Sequence, residues 1–192
     1  MAESDVQEIA PGIWCWERRP RGIRQGEFGA RTSYAITMAQ GTVLLDALIG
    51  VYERNILGYP VTAILPYSQA LSRFPAHLQQ ADMESNGKQV NRRGEPISYA
   101  TGPVLFGEPG TNGQHSFYQL LHQGTDIIPL QFIGFTRSQT GFDVEVDGST
   151  SQKKLCANLV AQIVAFATGK SDTDTNKNFP GERPSSVIKG TE

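Results

Sequence analysis

The chain has 192 residues, of which 39% are hydrophobic, and its 17 basic and 19 acidic side chains give a formal net charge of -2. Its 20 Gly and 11 Pro follow no period, which excludes collagen-like, coiled-coil and wholly disordered classes. A near-neutral balance argues against a primary role in gripping nucleic acid, and the longest apolar run, Thr42 to Tyr52, is broken by Asp46, so no membrane span is expected.

In chain order, GIWCW (12–16), RTSYAIT (31–37) and GTVLLDA (41–47) read as short strands joined by tight connections. They predict an antiparallel hairpin or meander ahead of a different pattern. VTAIL (61–65) is a buried-strand run. A helical stretch from Ser68 to about Met83 follows, with Leu71, Phe74, Leu78 and Ala81 on one stripe. Ser68 is its candidate cap, and Pro75 marks a kink or a second start. Residues 88–101 read as a polar hairpin excursion around Arg93-Gly94. PVLFG (103–107) is a second buried strand, EPGTNG a loop, and Gln114 to Gln123 a helix stopped by Gly124. IIPLQFIGF (127–135) is a third strand and 141–151 a polar loop. The clearest helix runs from Gln152 to Thr168, with Leu155, Leu159, Val160, Ile163 and Phe166 aligned and Gly169 as its stop. The tail from Lys170 reads as polar and turn-rich. Alternating strands and helices predict an α/β fold, a parallel sheet flanked by helices and preceded by a short antiparallel β segment.

Chemistry-bearing residues are few. His77, His115 and His122 form no HxH or HExxH pair, and Cys15 and Cys156 form no CxxC, so no metal site is expected. The two cysteines read as buried free thiols. With an N-terminus that has no apolar leader core, they predict a cytoplasmic protein. His115 and His122, seven apart, would share a helix face, and His122 reads as a packing histidine. GEPGTNGQH (107–115) is neither GxGxxG nor a phosphate-binding P-loop. Its glycines would let backbone amides approach an anionic or hydroxyl-rich ligand. By composition alone, Glu84 reads as a solvated carboxylate near a helix end.

Longer motifs change that reading. ILPYSQALSRFPAHLQQADMESNGK (64–88), TGPVLFGEPGTNGQHSFYQLLHQGT (101–125), QKKLCANLVAQIVAFATGK (152–170) and GERPSSVI (181–188) closely resemble the glucose-6-phosphate isomerase family over residues 49–192. The resemblance implies a partial C-terminal sugar-isomerase domain, Rossmann-like, at 48–192. It implies Glu84 of MESNGK as the general base that moves a proton between C2 and C1 of an open-chain sugar through a cis-enediol. It implies His115 of TNGQH as the ring-opening group, reaching the neighbouring subunit's site. Gln80 matches a glutamine that contacts the sugar phosphate, and Gly113 of the same TNGQH motif is assigned to substrate binding. A sugar phosphate as substrate, a homodimer and a reaction without cofactor or metal are implied as well.

Family members are far longer. Their first domain and the lysine-bearing DQWGVELGK-like segment have no counterpart in this sequence, so weak catalysis, or a non-catalytic binding or assembly module, is expected. Residues 1–47 (IAPGIWCWERRP, SYAITMAQGTVLLDALI) resemble instead the opening strands of a metallo-β-lactamase-fold protein, without that family's HxHxDH segment. They are read as a segment of different origin, and no hydrolase function carries over.

Overall fold

A computed structural model describes residues 6–10, 13–18, 31–38, 41–44, 49–138 and 141–190. The chain divides into two compact units, Met1–Leu57 and Gly58–Glu192. The first unit is a meander of β1 (Val6–Ala10), β2 (Ile13–Arg18), β3 (Arg31–Met38) and β4 (Gly41–Leu44), all antiparallel in spatial order β1-β2-β3-β4. Cys15 pairs with Tyr34 and Ile36 with Val43. Three of these strands match the sequence expectation. The fourth, β1, was hidden because polar Gln7 and Glu8 interrupt its apolar residues. Most of the Arg/Gly-rich connector and residues 45–48 of the expected junction lie outside the described residues. A wide helical turn, Tyr52–Ile56, ends this unit.

The second unit is built on β5 (Val61–Pro66), β6 (Val104–Phe106), β7 (Leu130–Phe135) and β10 (Ser185–Gly190). All four run parallel, in the order β10-β7-β5-β6. Two short strands, β8 (Glu145–Val146) and β9 (Ser149–Thr150), form a separate hairpin. The helices are α1 (Phe74–Leu78), α2 (Gly110–Gly113), α3 (Tyr118–Gln123) and α4 (Ser151–Thr168).

Successive side chains of a strand point to opposite faces, and both faces of this sheet are covered. Ala63, Leu65, Leu130 and Phe132 face α3 and α4, packing on Tyr118, Leu121, Leu159 and Phe166. Ile64, Leu105 and Ile133 face the other way, onto Leu71, Phe74, Leu78 and Met83. Phe132 and Phe166 are wholly buried, and each contributes about 1.5–3 kcal/mol by leaving water. The result is the expected α/β arrangement of a parallel sheet between helices.

Details differ from the sequence reading. The helix expected from Ser68 is split into a tight turn, Gln69–Leu71, then α1, then wide π turns over Gln79–Glu84. Pro75 lies in the first turn of α1, where a missing N–H costs nothing, and so marks the second start. The helix expected over 114–123 begins earlier and breaks. Residues 114–117 form a tight turn between α2 and α3, held by His115 N to Asn112 O (3.0 Å) and Phe117 N to Gly113 O (3.0 Å). His115 and His122 therefore do not share a helix face. The polar loop at 141–151 contains the β8–β9 hairpin, turned by Asp147 and Gly148, both at positive φ. Val160 is 58% exposed rather than on the core stripe, which narrows to Leu155, Leu159, Ile163 and Phe166. The tail is not all turns, since residues 185–190 add the outer strand β10.

Candidate functional site

Glu84 ends the π turns that follow α1, and it is exposed. Its backbone carbonyl accepts from Lys88 Nζ (2.9 Å), while its carboxylate takes no hydrogen bond or ion pair among the described residues. The residues just before it are fixed. Gln79 Nε2 donates to Leu105 O (2.9 Å), and Leu105 N donates to Met83 Sδ (3.4 Å). Leu105 is the middle residue of β6, the edge strand at the opposite end of the sheet from β10. The side chains of one helical segment thus satisfy the open backbone groups of that edge and tie Glu84 beside it. Gln80 is exposed on the same segment, four residues before Glu84.

His115 follows β6. The chain leaves that strand through Gly107, whose Cβ would lie 1.8 Å from Ile64 O of β5, so only glycine permits this approach. A Cβ on Gly110 would lie 2.0 Å from the Tyr67 ring. These two glycines of the GEPGTNGQH run therefore answer to packing against β5 and the residue that follows it. Gly113 is buried, and its N–H donates to Pro109 O (2.9 Å) inside the turn. Past it, Gln114 turns inward and His115 outward. Gln114 Nε2 donates to Tyr67 Oη (3.0 Å) and to Asn158 Oδ1 of α4, and Tyr67 Oη lies 3.2 Å from Tyr118 Oη. Tyr67 and Tyr118 are nearly fully buried, and burial pushes both phenols up from their ordinary value. His115 is exposed, and its ring takes no hydrogen bond among the described residues.

The Gln114–Tyr67–Asn158 set escaped sequence reading. Its members are separated by 44 and 47 positions, and no local pattern links them.

The remaining polar cluster is structural. His122 stacks on Phe166 at 3.7 Å between ring centroids, and its Nε2 lies 3.2 Å from Gln162 Oε1. Burial lowers its pKa, opposed by the Gln162 bond and aided by the nearby Arg183 cation. Arg183 is buried and donates through Nη2 to His122 O (3.3 Å) and Gly124 O (2.8 Å), placing a cation on the carbonyl end of α3. His122 is the packing histidine expected of it. Cys156 is a half-buried free thiol whose Sγ donates to Phe135 O (3.0 Å).

Of the four residues singled out beforehand, Glu84, Gln80 and His115 are displayed outward from two segments that flank β6, whereas Gly113 is enclosed. No hydrogen bond joins any two of them among the described residues.

The chain is similar to known proteins throughout this region. The family model described as Phosphoglucose isomerase matches residues 33–190, starting ahead of the expected junction. The chain is 70% identical to the glucose-6-phosphate isomerase of Treponema denticola over 187 residues, covering 97% of this chain and 35% of that protein. A glucose-6-phosphate isomerase of Treponema pallidum is 72% identical over 149 residues, covering 78% and 28%. The fold matches the crystal structure of a glucose-6-phosphate isomerase from Chlamydia trachomatis with a TM-score of 0.73 and 54% identity, over 77% of this chain and 28% of that one. The chain therefore spans about a third or less of these relatives' length. The 187-residue match runs into the opening strands. With its parallel sheet, its MESNGK and TNGQH motifs and a family match over most of its residues, the chain belongs to the phosphoglucose isomerase family.

Proposed function

We propose that this chain provides part of an aldose–ketose isomerase site that interconverts glucose 6-phosphate and fructose 6-phosphate. The observation that carries the reading is the outward display of Glu84 and His115, with uncommitted side chains, from segments that flank one strand. In the open-chain sugar the carbonyl acidifies the neighbouring C–H bond. The Glu84 carboxylate takes the C2 proton of the aldose, leaving a cis-enediolate whose negative charge rests on O1. It returns that proton to C1 while the hydroxyl proton moves from O2 to O1, and the ketose results. His115 moves a proton at the ring oxygen so that the cyclic sugar opens. Gln80 contacts the phosphate, and Gly113 shapes the turn next to the sugar. Residues 48–192 act as part of the C-terminal sugar-isomerase domain. The site is completed by a second copy in a homodimer and by the segments that the longer relatives carry. The reaction runs in the cytoplasm.

The test is proton exchange in D2O. Incubated with fructose 6-phosphate, the chain is expected to incorporate deuterium at C1 of the ketose, as read by NMR, and Glu84→Gln should abolish it. A second reading, a sugar-phosphate-binding or assembly module without turnover, draws support from the exposed position of Glu84, which the described residues do not enclose. Sugar-phosphate binding that survives Glu84→Gln, with no exchange in either form, would favour the module.

A further inference from the structure

We infer that Gln114 is the positioning residue for His115, acting through Tyr67 and Asn158; the inference rests on the proposed role of His115. Backbone bonds close the turn between α2 and α3, but helices of four and six residues do not by themselves fix that turn against the rest of the fold. Gln114 supplies what they lack. One amide nitrogen donates to Tyr67 Oη, just past the end of central strand β5, and to Asn158 Oδ1, midway along the 18-residue α4. Two rigid elements on either side of the turn therefore fix residue 114, and the next Cα is only about 3.8 Å away.

The anchor is buried at its Tyr67 end, where Tyr67 is 2% and Tyr118 3% exposed, and half-buried at Gln114 and Asn158, so a bond lost at the phenol is poorly replaced by water. Gly110, pressed against the Tyr67 ring, holds the start of the turn to the same phenol. The His115 backbone N–H is bonded to Asn112 O (3.0 Å), so the backbone is set while the imidazole stays free to meet a ligand. A proton-moving group must lie within hydrogen-bond reach of its target, and a displacement of about 1 Å can lower a rate about 100-fold.

The experiment uses the whole 192-residue chain, labelled with 15N. Gln114→Met keeps length and removes both donated bonds. Tyr67→Phe and Asn158→Leu each remove one acceptor, and Asn158→Asp keeps it. Amide exchange at His115 is expected to accelerate about tenfold or more in Gln114→Met and Asn158→Leu, and to stay near wild type in Asn158→Asp. The Phe132 amide in β7 should be unchanged. A merely structural role would move both amides together. If Gln114→Met fails to fold, Tyr67→Phe reads the same comparison.

In the exchange assay with fructose 6-phosphate, Gln114→Met should lower kcat about tenfold or more with KM nearly unchanged. A full kcat in Gln114→Met beside a depressed His115→Asn would overturn the positioning role. An undiminished His115→Asn would instead overturn the reading of His115 itself. Should the chain show no turnover, unchanged His115 exchange in Gln114→Met would overturn the inference without any rate measurement.

Discussion

Glu84 and Gly110 illustrate two kinds of requirement that one motif-rich stretch can impose. Replacing the Glu84 carboxylate by an amide leaves its exposed surroundings intact but removes the proposed base. Glu84→Gln should therefore lower isomerisation or exchange by a factor of about 100 to 10,000 and leave the urea midpoint unchanged. Gly110→Ala should do the reverse. Its methyl meets the wholly buried Tyr67 ring at 2.0 Å, and relieving that clash costs about 1–3 kcal/mol, measurable as a lower urea midpoint. His122 carries a pH dependence. Burial against Phe166 lowers its folded-state pKa below the ordinary 6.5, so the unfolded chain binds the proton more tightly. Its neutral form contributes fully above about pH 6.5, and that contribution falls away as the pH drops below this value. The urea midpoint should be lower at pH 5.5 than at pH 7.5, by less in His122→Phe. An equal drop in both would contradict this assignment.

At the level of elements, the outer strand β6 shows how a three-residue strand is made secure. Its Leu105 backbone groups are met by Gln79 and Met83 from the helical segment that also carries Glu84. Gln79→Leu should cost about 1 kcal/mol, and it should raise the amide exchange of Leu105 more than that of Leu65 in the central strand. The end of α4 depends on a backbone contact instead. A Cβ on Gly169 would fall 2.5 Å from Phe179 O, and one on Gly181 would fall 2.4 Å from Gly169 N. Both glycines have positive φ, so two glycines meet where the helix stops and the chain turns back toward β10. The sequence announced Gly169 as a stop signal. It gave no hint that Gly181 is its partner, because that pairing exists only once the two segments meet.

For the molecule as a whole, the outer edge of β10 should govern association. Val187 and Ile188, on opposite faces of this end strand, are each half-exposed. Light scattering should give a mass above that of one chain, and Val187→Lys with Ile188→Lys should lower it. How much could be read beforehand follows from how far each signal reaches along the chain. Strands β5, β6 and β7 and helix α4 were legible because their apolar periods are written in consecutive residues, and burial on both sheet faces needs only those periods. The MESNGK and TNGQH motifs named the family and the candidate residues Glu84 and His115 for the same reason. The split of the 68–83 helix, the break at 114–117 and the strand at 185–190 were not legible, since short segments gain their shape from partners far away in sequence. Sequence by itself determined the α/β class and the order of the principal elements, and it singled out the candidates for chemistry. Only the tertiary structure decided that Gln114 turns inward while His115 turns outward, and that Gly107 and Gly110 are spacers against β5 and Tyr67. Hydrogen bonding and steric exclusion act between atoms brought close by folding, and separations of 40 or more residues leave no mark on local pattern.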